Sequence, residues 1–275
     1  MPIQAHRMVR KMRGGAQAHL LETGDGAFYV VKFLSNPQHR RILVNEWIAS
    51  VVLRYLQISS PEVSLIEVTP EFLARNPEVG MQIGARRVPV EPGWHFGSRY
   101  PGDPSTTAVY DFVPDALLTQ INNLSDFAGC FVFDKWMANS DGRQSVFHRA
   151  ELKSLAGGSS PRRMGFVALM IDHGFVFNGP HWDFPESPVQ GVYPRRAVYD
   201  RITSIAGFQP WLDRVTHFPE HVIDQAFRQI PPQWTAGEEG DLERLLEKLL
   251  RRCKRVPDLI NDARLAKTNP FANWR

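Results

Sequence analysis

The chain is poor in cysteine: its 275 residues carry two, Cys130 and Cys253. Both sit in apolar or helical company, so a disulfide framework is excluded. Reduced thiols suit a cytosolic protein and give a cytoplasmic location as the expectation. Long apolar runs are missing too. No stretch is long enough to span a bilayer, and the N-terminus has no apolar signal core, so no membrane role is expected. Charge of one sign is scarce: 32 Lys and Arg face 29 Asp and Glu, a formal charge of +3. Arginine pairs recur at Arg40-Arg41, Arg86-Arg87, Arg162-Arg163, Arg195-Arg196 and Arg251-Arg252. They are isolated and not interleaved with aromatics, which argues against dedicated nucleic-acid binding. No internal repeat is visible, and no Gly-Lys-Ser/Thr phosphate loop occurs. What remains is ordinary globular composition, 43% hydrophobic and 22% charged. It suffices for one large domain or two lobes.

One stretch organises the rest. Phe131 to Phe147 reads FVFDKWMANSDGRQSVF. An apolar, aromatic run breaks into Asn139-Ser140-Asp141-Gly142-Arg143-Gln144 and returns to apolar Val146-Phe147. This is the pattern of a buried helix that ends in a polar cluster at the rim of a core and re-enters as a strand. A second acid has similar surroundings: Phe166 to Ile171 runs directly into Asp172-His173-Gly174. Two carboxylates at the ends of buried elements suit the holding of Mg²⁺ and the orientation of a hydroxyl for phosphoryl transfer. The plainer alternative for each is a turn or cap residue.

Earlier in the chain, Val9 to Met12 and Ala18 to Leu21 read as strands around Arg13-Gly14-Gly15-Ala16-Gln17. Thr23-Gly24-Asp25-Gly26 is a tight turn, followed by the strand Phe28 to Phe33. A glycine pair between strands lets backbone N–H groups approach phosphate, although a plain hairpin gives the same pattern. Lys32 inside an apolar strand needs an anion or an edge position. Arg41 to Tyr55 has helical spacing, and its Glu46 is placed to offer Lys32 a carboxylate or to be exposed. Val63 to Val68 is a strand, and Pro70 to Gly84 is polar and turn-rich. Pro89 to Pro104, crowded with Gly and Pro, reads as a lobe boundary or hinge. A helix is expected through Leu117, Leu118 and Ile121. Strands Ser145–Leu152 and Gly165–Ile171 then form a hairpin about an exposed turn, Gly157 to Pro161, and its base brings Asp141 and Asp172 to one end. Leu242 to Cys253 carries an apolar stripe with Asp241 as N-cap. The tail after Lys267 is expected to be loose.

In this order, the parts resemble the protein-kinase-like fold and are most similar to the HipA-like kinases, with a more distant likeness to phosphatidylinositol kinases. Asn139-Ser140-Asp141 after an apolar helix matches the family's Asn-Thr-Asp type of catalytic loop. The resemblance implies a fold of class α+β and two lobes. Residues 1–104 would form an N-lobe with a small antiparallel nucleotide-binding sheet, one helix and the hinge. Residues 105–275 would form a mainly helical C-lobe. It further implies ATP and Mg²⁺ as cofactors, Asp141 as the catalytic aspartate and Asp172 as the metal ligand. Lys32 would be the nucleotide-binding lysine with Glu46 as its partner, and Gly14, Gly15 and Gln17 the phosphate flap. The acceptor would be a hydroxyl, by analogy a protein serine or threonine. The chain departs from the pattern where related kinases carry a metal-binding Asn: Val146 stands there, and Gln144 is the nearest amide. Arg143 is placed to offset charge on a transferring phosphate, to lie on the surface, or to pair with a nearby carboxylate. Asn139 is placed to brace the loop.

Three readings follow: an active kinase, a degenerate kinase fold serving as a nucleotide-binding interaction module, and a metal-dependent hydrolase. The last would use Asp141, Asp172, His173, His181 and Asp183. The aromatic segment Phe175 to Arg196 would then be either an acceptor-docking surface or a cap on the C-lobe.

Overall fold

The β-rich start of the chain closes on itself. The computed structural model describes residues 1–152 and 163–275. Strands β1 (Ile3–Lys11), β2 (His19–Thr23) and β3 (Phe28–Lys32) lead into helix α1 (Arg41–Leu56) and strand β4 (Val63–Val68). A short helix α2 (Pro70–Arg75), a hairpin of β5 (Gly80–Ile83) and β6 (Arg86–Pro89), and strand β7 (Gly93–Arg99) follow. The strands close as a barrel in the order β1-β2-β3-β7-β4, and a short parallel pairing of β1 with β4 seals it. The turn at Thr23 to Gly26 forms as its residues dictate. Asp25 accepts from the Thr23 hydroxyl and the Ala27 N–H, and Gly26 takes a φ of +76°. Leu21, Tyr29, Val31, Phe33, Ile66 and Val68 are buried in the barrel core.

Three expectations are corrected here. Strand β1 starts six residues before Val9, because its bulged pairing with β2 extends back to Ala5 and its parallel pairing with β4 begins at Ile3. The stretch Pro70 to Gly84 is not only turns but holds α2, capped by the Thr69 hydroxyl, and β5. The region Pro89 to Pro104 is not a hinge throughout, since β7 lies inside it and pairs with β3 on one side and β4 on the other. Its Gly97 is required by close packing: a Cβ there would lie 2.4 Å from Ile66 Cγ1.

Helix α1 is buried nearly all round, which places it between the barrel and the rest of the chain. Beyond β7 come β8 (Val109–Tyr110), a single helical turn α3 (Asp115–Leu118), shorter than the expected helix, and α4 (Asp126–Trp136). Every residue of α4 is buried. Strands β9 (Gln144–Leu152) and β10 (Arg163–Ile171) form the expected hairpin, with β8 on its outer edge. The turn expected at Gly157 to Pro161 lies outside the described residues.

The chain finishes with α5 (Trp211–Thr216), α6 (Glu220–Arg228), α7 (Pro232–Thr235), α8 (Glu239–Arg252) and α9 (Val256–Leu265). Leu242, Leu245, Leu246 and Leu249 of α8 face the core, while Asp241 falls inside the first turn and not at the cap. The tail is not loose. Phe271 is fully buried, ringed by Phe131, Tyr199, Phe208 and Trp274. Cys130 and Cys253 are both buried thiols. Among the described residues no helix is long and apolar enough to cross a membrane.

Candidate active site

Lys32 ends β3 with its side chain 8% exposed as a residue, so its charge must be met inside the protein. Two carboxylates meet it. Glu46, from the middle of α1, accepts a hydrogen bond from the Lys32 amine, and Asp172 Oδ1 accepts another at 2.7 Å. Burial alone would push the amine towards neutrality, but the two acids outweigh it and hold its pKa above the ordinary lysine value. The Lys32 charge in turn holds Asp172 below the usual carboxylate range. Glu46, 3% exposed, is pushed up by burial in spite of its partner.

The β9–β10 hairpin sets the second acid. Its register pairs Gln144 with Ile171, so the residues just outside the pair, Asp141 and Asp172, share one end. The Gln144 amide joins them: Nε2 donates to Asp172 Oδ2 at 3.2 Å and more weakly to Asp141 Oδ2 at 3.4 Å. Asp141 is exposed, whereas Asp172 is half-buried and takes a left-handed φ of +59°. Val146 lies two residues along the strand, opposite Leu169.

The loop around Asp141 rests on a buried cluster. Asp134, fully buried on α4, pairs with the Arg143 guanidinium and accepts from Asn139 Nδ2 at 2.9 Å. Asn139 Oδ1 accepts from the Asp141 N–H at 3.2 Å. Arg143 is 2% exposed, and its Nη1 bonds the Ile171 carbonyl and His173 Nδ1. Its guanidinium is thus spent on the protein interior. This corrects the expectation that it offsets phosphate charge, in favour of structural pairing. Asp134 itself escaped sequence reading, although a charged Asp134-Lys135 pair inside an apolar helix was the available signal. Lys135 is also buried, with its ammonium on the Ser187 and Pro188 carbonyls, and burial lowers its pKa to about 8.

The segment after Asp172 is stitched to this loop and to α1. Phe177 N–H donates to Met137 O at 2.7 Å, and Asn178 N–H to Ala138 O at 3.2 Å. Asn45, next to Glu46 on α1 and fully buried, directs Nδ2 at the carbonyls of Gly174, Val176 and Gly179. Its Oδ1 accepts from Trp182 Nε1 at 2.9 Å. Asn45 was also missed, since a lone Asn in a helix carries no sequence signal. Phe177, Trp182 and Tyr193 are buried, so the aromatics after Asp172 act mainly as packing.

On the barrel side, the Gly14-Gly15 turn is closed by Gln17 N–H on the Gly14 carbonyl. Gly14 has a φ of +117°, and a Cβ there would meet nothing within 4 Å. Gly15 packs on the Gln38 side chain. The Gln17 side chain is spent on the barrel: its amide bridges the Gln82 backbone, with bonds of 2.6 and 2.7 Å.

The set expected of a metal-dependent hydrolase does not assemble. His173 has both ring nitrogens occupied, by Arg143 and the Met170 carbonyl, and burial holds it neutral. His181 and Asp183 are exposed, and Asp183 is held by Asn178. Among the described residues no three His, Cys, Asp or Glu side chains cluster as metal ligands.

A family profile described as HipA-like kinase matches residues 6–258. No curated protein matches the chain. Among solved structures, the Golgi casein kinase aligns over 97% of this chain and 74% of its own, at 12% identity and a TM-score of 0.52. Its Mn/ADP-bound crystal structure aligns over the same shares at 11% identity and a TM-score of 0.51. The fold is therefore kinase-like and of mixed α+β type.

Proposed function

The chain belongs to the HipA-like kinase family, and we propose that it is an ATP- and Mg²⁺-dependent kinase that passes the γ-phosphate to a protein serine or threonine hydroxyl. The observation that carries this reading is the convergence of Lys32, Glu46 and Asp172, from distant parts of the chain, with Gln144 joining Asp141 to the same point. The Mn/ADP-bound Golgi casein kinase supports the use of a nucleotide and a divalent cation.

The residues present fit these groups. Mg²⁺ takes oxygen ligands and keeps several waters, and the cleft offers carboxylates and an amide. Asp172 would hold the metal, aided by Gln144 once its amide turns Oε1 inward. Lys32, kept charged and aimed by Glu46, would bind the α- and β-phosphates. The open Gly14-Gly15 turn would cover them with backbone N–H groups. Bound Mg-ATP supplies a phosphoryl group whose charge the metal shares. Asp141, solvent-facing and braced by Asn139, orients the acceptor hydroxyl and takes its proton. The catalysis is thus chiefly positioning and electrostatics. In this reading residues 1–104 and 105–275 are the two lobes that flank the cleft.

A second reading has its own motive. Val146 stands where related kinases hold an amide, and the Gln144 side chain lies between the two acids. A fold that binds nucleotide without transfer is the outcome that this substitution would produce. Labelling with [γ-³²P]ATP separates the two. Asp141→Ala is expected to abolish transfer while ATP still raises the melting temperature, and Asp172→Ala to weaken Mg²⁺-dependent stabilisation as well. Normal labelling by both variants overturns these roles. Stabilisation of the wild type without any labelling selects the binding module.

A further inference from the structure

The Arg40-Arg41 pair and His181-Trp182 are both conspicuous in the sequence, and apart from the Trp182 bond to Asn45 they take no part in the site above. Arg41, His181 and Trp182 line a separate cavity of about 260 Å³ between the start of α1, the segment after Asp172 and the first turns of α8. The Arg41 guanidinium lies 4.1 Å from the centre of the Trp182 ring. It also makes two bonds to Glu238 and one, at 2.8 Å, to the Pro180 carbonyl. Glu238 is shared with Arg40 at 3.3 Å, so one carboxylate serves two guanidinium groups. Arg40 Nε is buried and has no hydrogen-bond partner.

Helix α8 supplies the opposite wall with Asp241, Arg244 and Lys248, spaced to share one face. Arg244 pairs with Asp241, while Lys248 has no ion-pair partner among the described residues. The lining itself carries Arg41, Arg244 and Lys248 against Asp241, an excess of two positive charges around one concave surface. Such an excess attracts carboxylates, and the cavity gives it a shape.

Its place relative to the acids matters. The segment that ends at Trp182 begins at Phe175, whose carbonyl accepts from the Ser140 N–H beside Asp141. Those seven steps span at most roughly 24 Å when fully extended. An acceptor chain with its hydroxyl at Asp141 would need no more than about seven extended residues to cover such a straight-line separation.

Resting on the kinase reading, we propose that this cavity receives an acidic side chain of the protein acceptor and so selects serine or threonine sites with a Glu or Asp up to about seven residues away. Arg244 and Lys248 make the recognition and Arg41 closes the floor. The test uses serine-centred peptides that carry a fixed Glu or a fixed Lys at each of the flanking positions. The wild type is expected to favour Glu at one or two of them through KM, with kcat unchanged. Arg244→Glu with Lys248→Glu, both exposed, is expected to lose that preference or invert it towards Lys. A parallel titration follows the fluorescence anisotropy of a labelled Glu-rich serine peptide and needs no turnover. Binding is expected to weaken by about tenfold or more in the double variant. Flanking-charge indifference, or equal binding by both proteins, overturns the proposal. Charge-dependent binding without labelling of any peptide would uphold the cavity and sink the kinase reading instead.

Discussion

Lys32 and Arg143 are both buried cations, yet they are held by opposite logic. Lys32 faces two acids from separate elements, and one of them, Asp172, is 37% exposed, so a ligand can take a share of its charge. Arg143 is paired with a fully buried Asp134 and has no open side. Arg143→Ala should therefore cost about 3–5 kcal/mol, because it strands Asp134 without a partner. Replacing both by apolar residues, Arg143→Met with Asp134→Leu, should recover most of that loss. Urea midpoints decide it, and a cheap single variant would contradict the cluster's structural role. His95 gives a pH signature. Burial lowers its pKa to about 4, with Nδ1 accepting from Leu34 N–H and Nε2 donating to the Glu91 carbonyl. Its folded pKa is below its unfolded value of 6.5, so the unfolded chain binds the extra proton first as pH falls. The stability tied to neutral His95 is full above pH 6.5 and is lost on the way down to about 4. The slope is about 1.4 kcal/mol per pH unit for one such group. His95→Asn should flatten the acid limb of a stability profile by that much. An unchanged limb would show that His95 titrates normally.

At the scale of elements, α1 is the part that joins the lysine to the second acid. Glu46 holds Lys32, and Asn45 beside it holds the backbone that follows Asp172. Asn45→Asp keeps the shape but loses the donors to three carbonyls and places a carboxylate against them. The expected result is a rise of about tenfold or more in the Mg²⁺ needed for half-maximal activity, since an error of about 1 Å in placement is costly. An unchanged Mg²⁺ profile in a folded variant would mean that the contact only adds stability. This scale also shows where the sequence was readable. Lys32 stood out because a charge in an apolar strand needs a partner, and Asp141 and Asp172 because each broke an apolar run. Strand β7 was hidden because Gly93 and Gly97 look like loop residues. Close contact with Ile66, which no local pattern records, is what demands glycine at 97. Asn45 stayed hidden because its partners lie across tertiary contacts, and Asp134 because its partners, Asn139 and Arg143, lie beyond the end of its helix; with Asp134 unseen, the choice between phosphate and carboxylate for Arg143 stayed open.

For the molecule as a whole, the tail is part of the core: Phe271 fills a space among the rings of Phe131, Tyr199, Phe208 and Trp274. Phe271→Ala should cost about 3–5 kcal/mol in urea unfolding, and a loss under about 1 kcal/mol would restore the expectation of a loose end. The larger claim is that one cleft gathers an amine and two acids from distant parts of the chain around a triphosphate. A crystal structure with a non-hydrolysable ATP analogue and Mg²⁺ tests it most directly. The account predicts Asp172 on the metal, Lys32 on the α- and β-phosphates, and the γ-phosphate facing Asp141. A nucleotide seated elsewhere, with Lys32 and Asp172 still bonded only to each other and to Glu46, would contradict it.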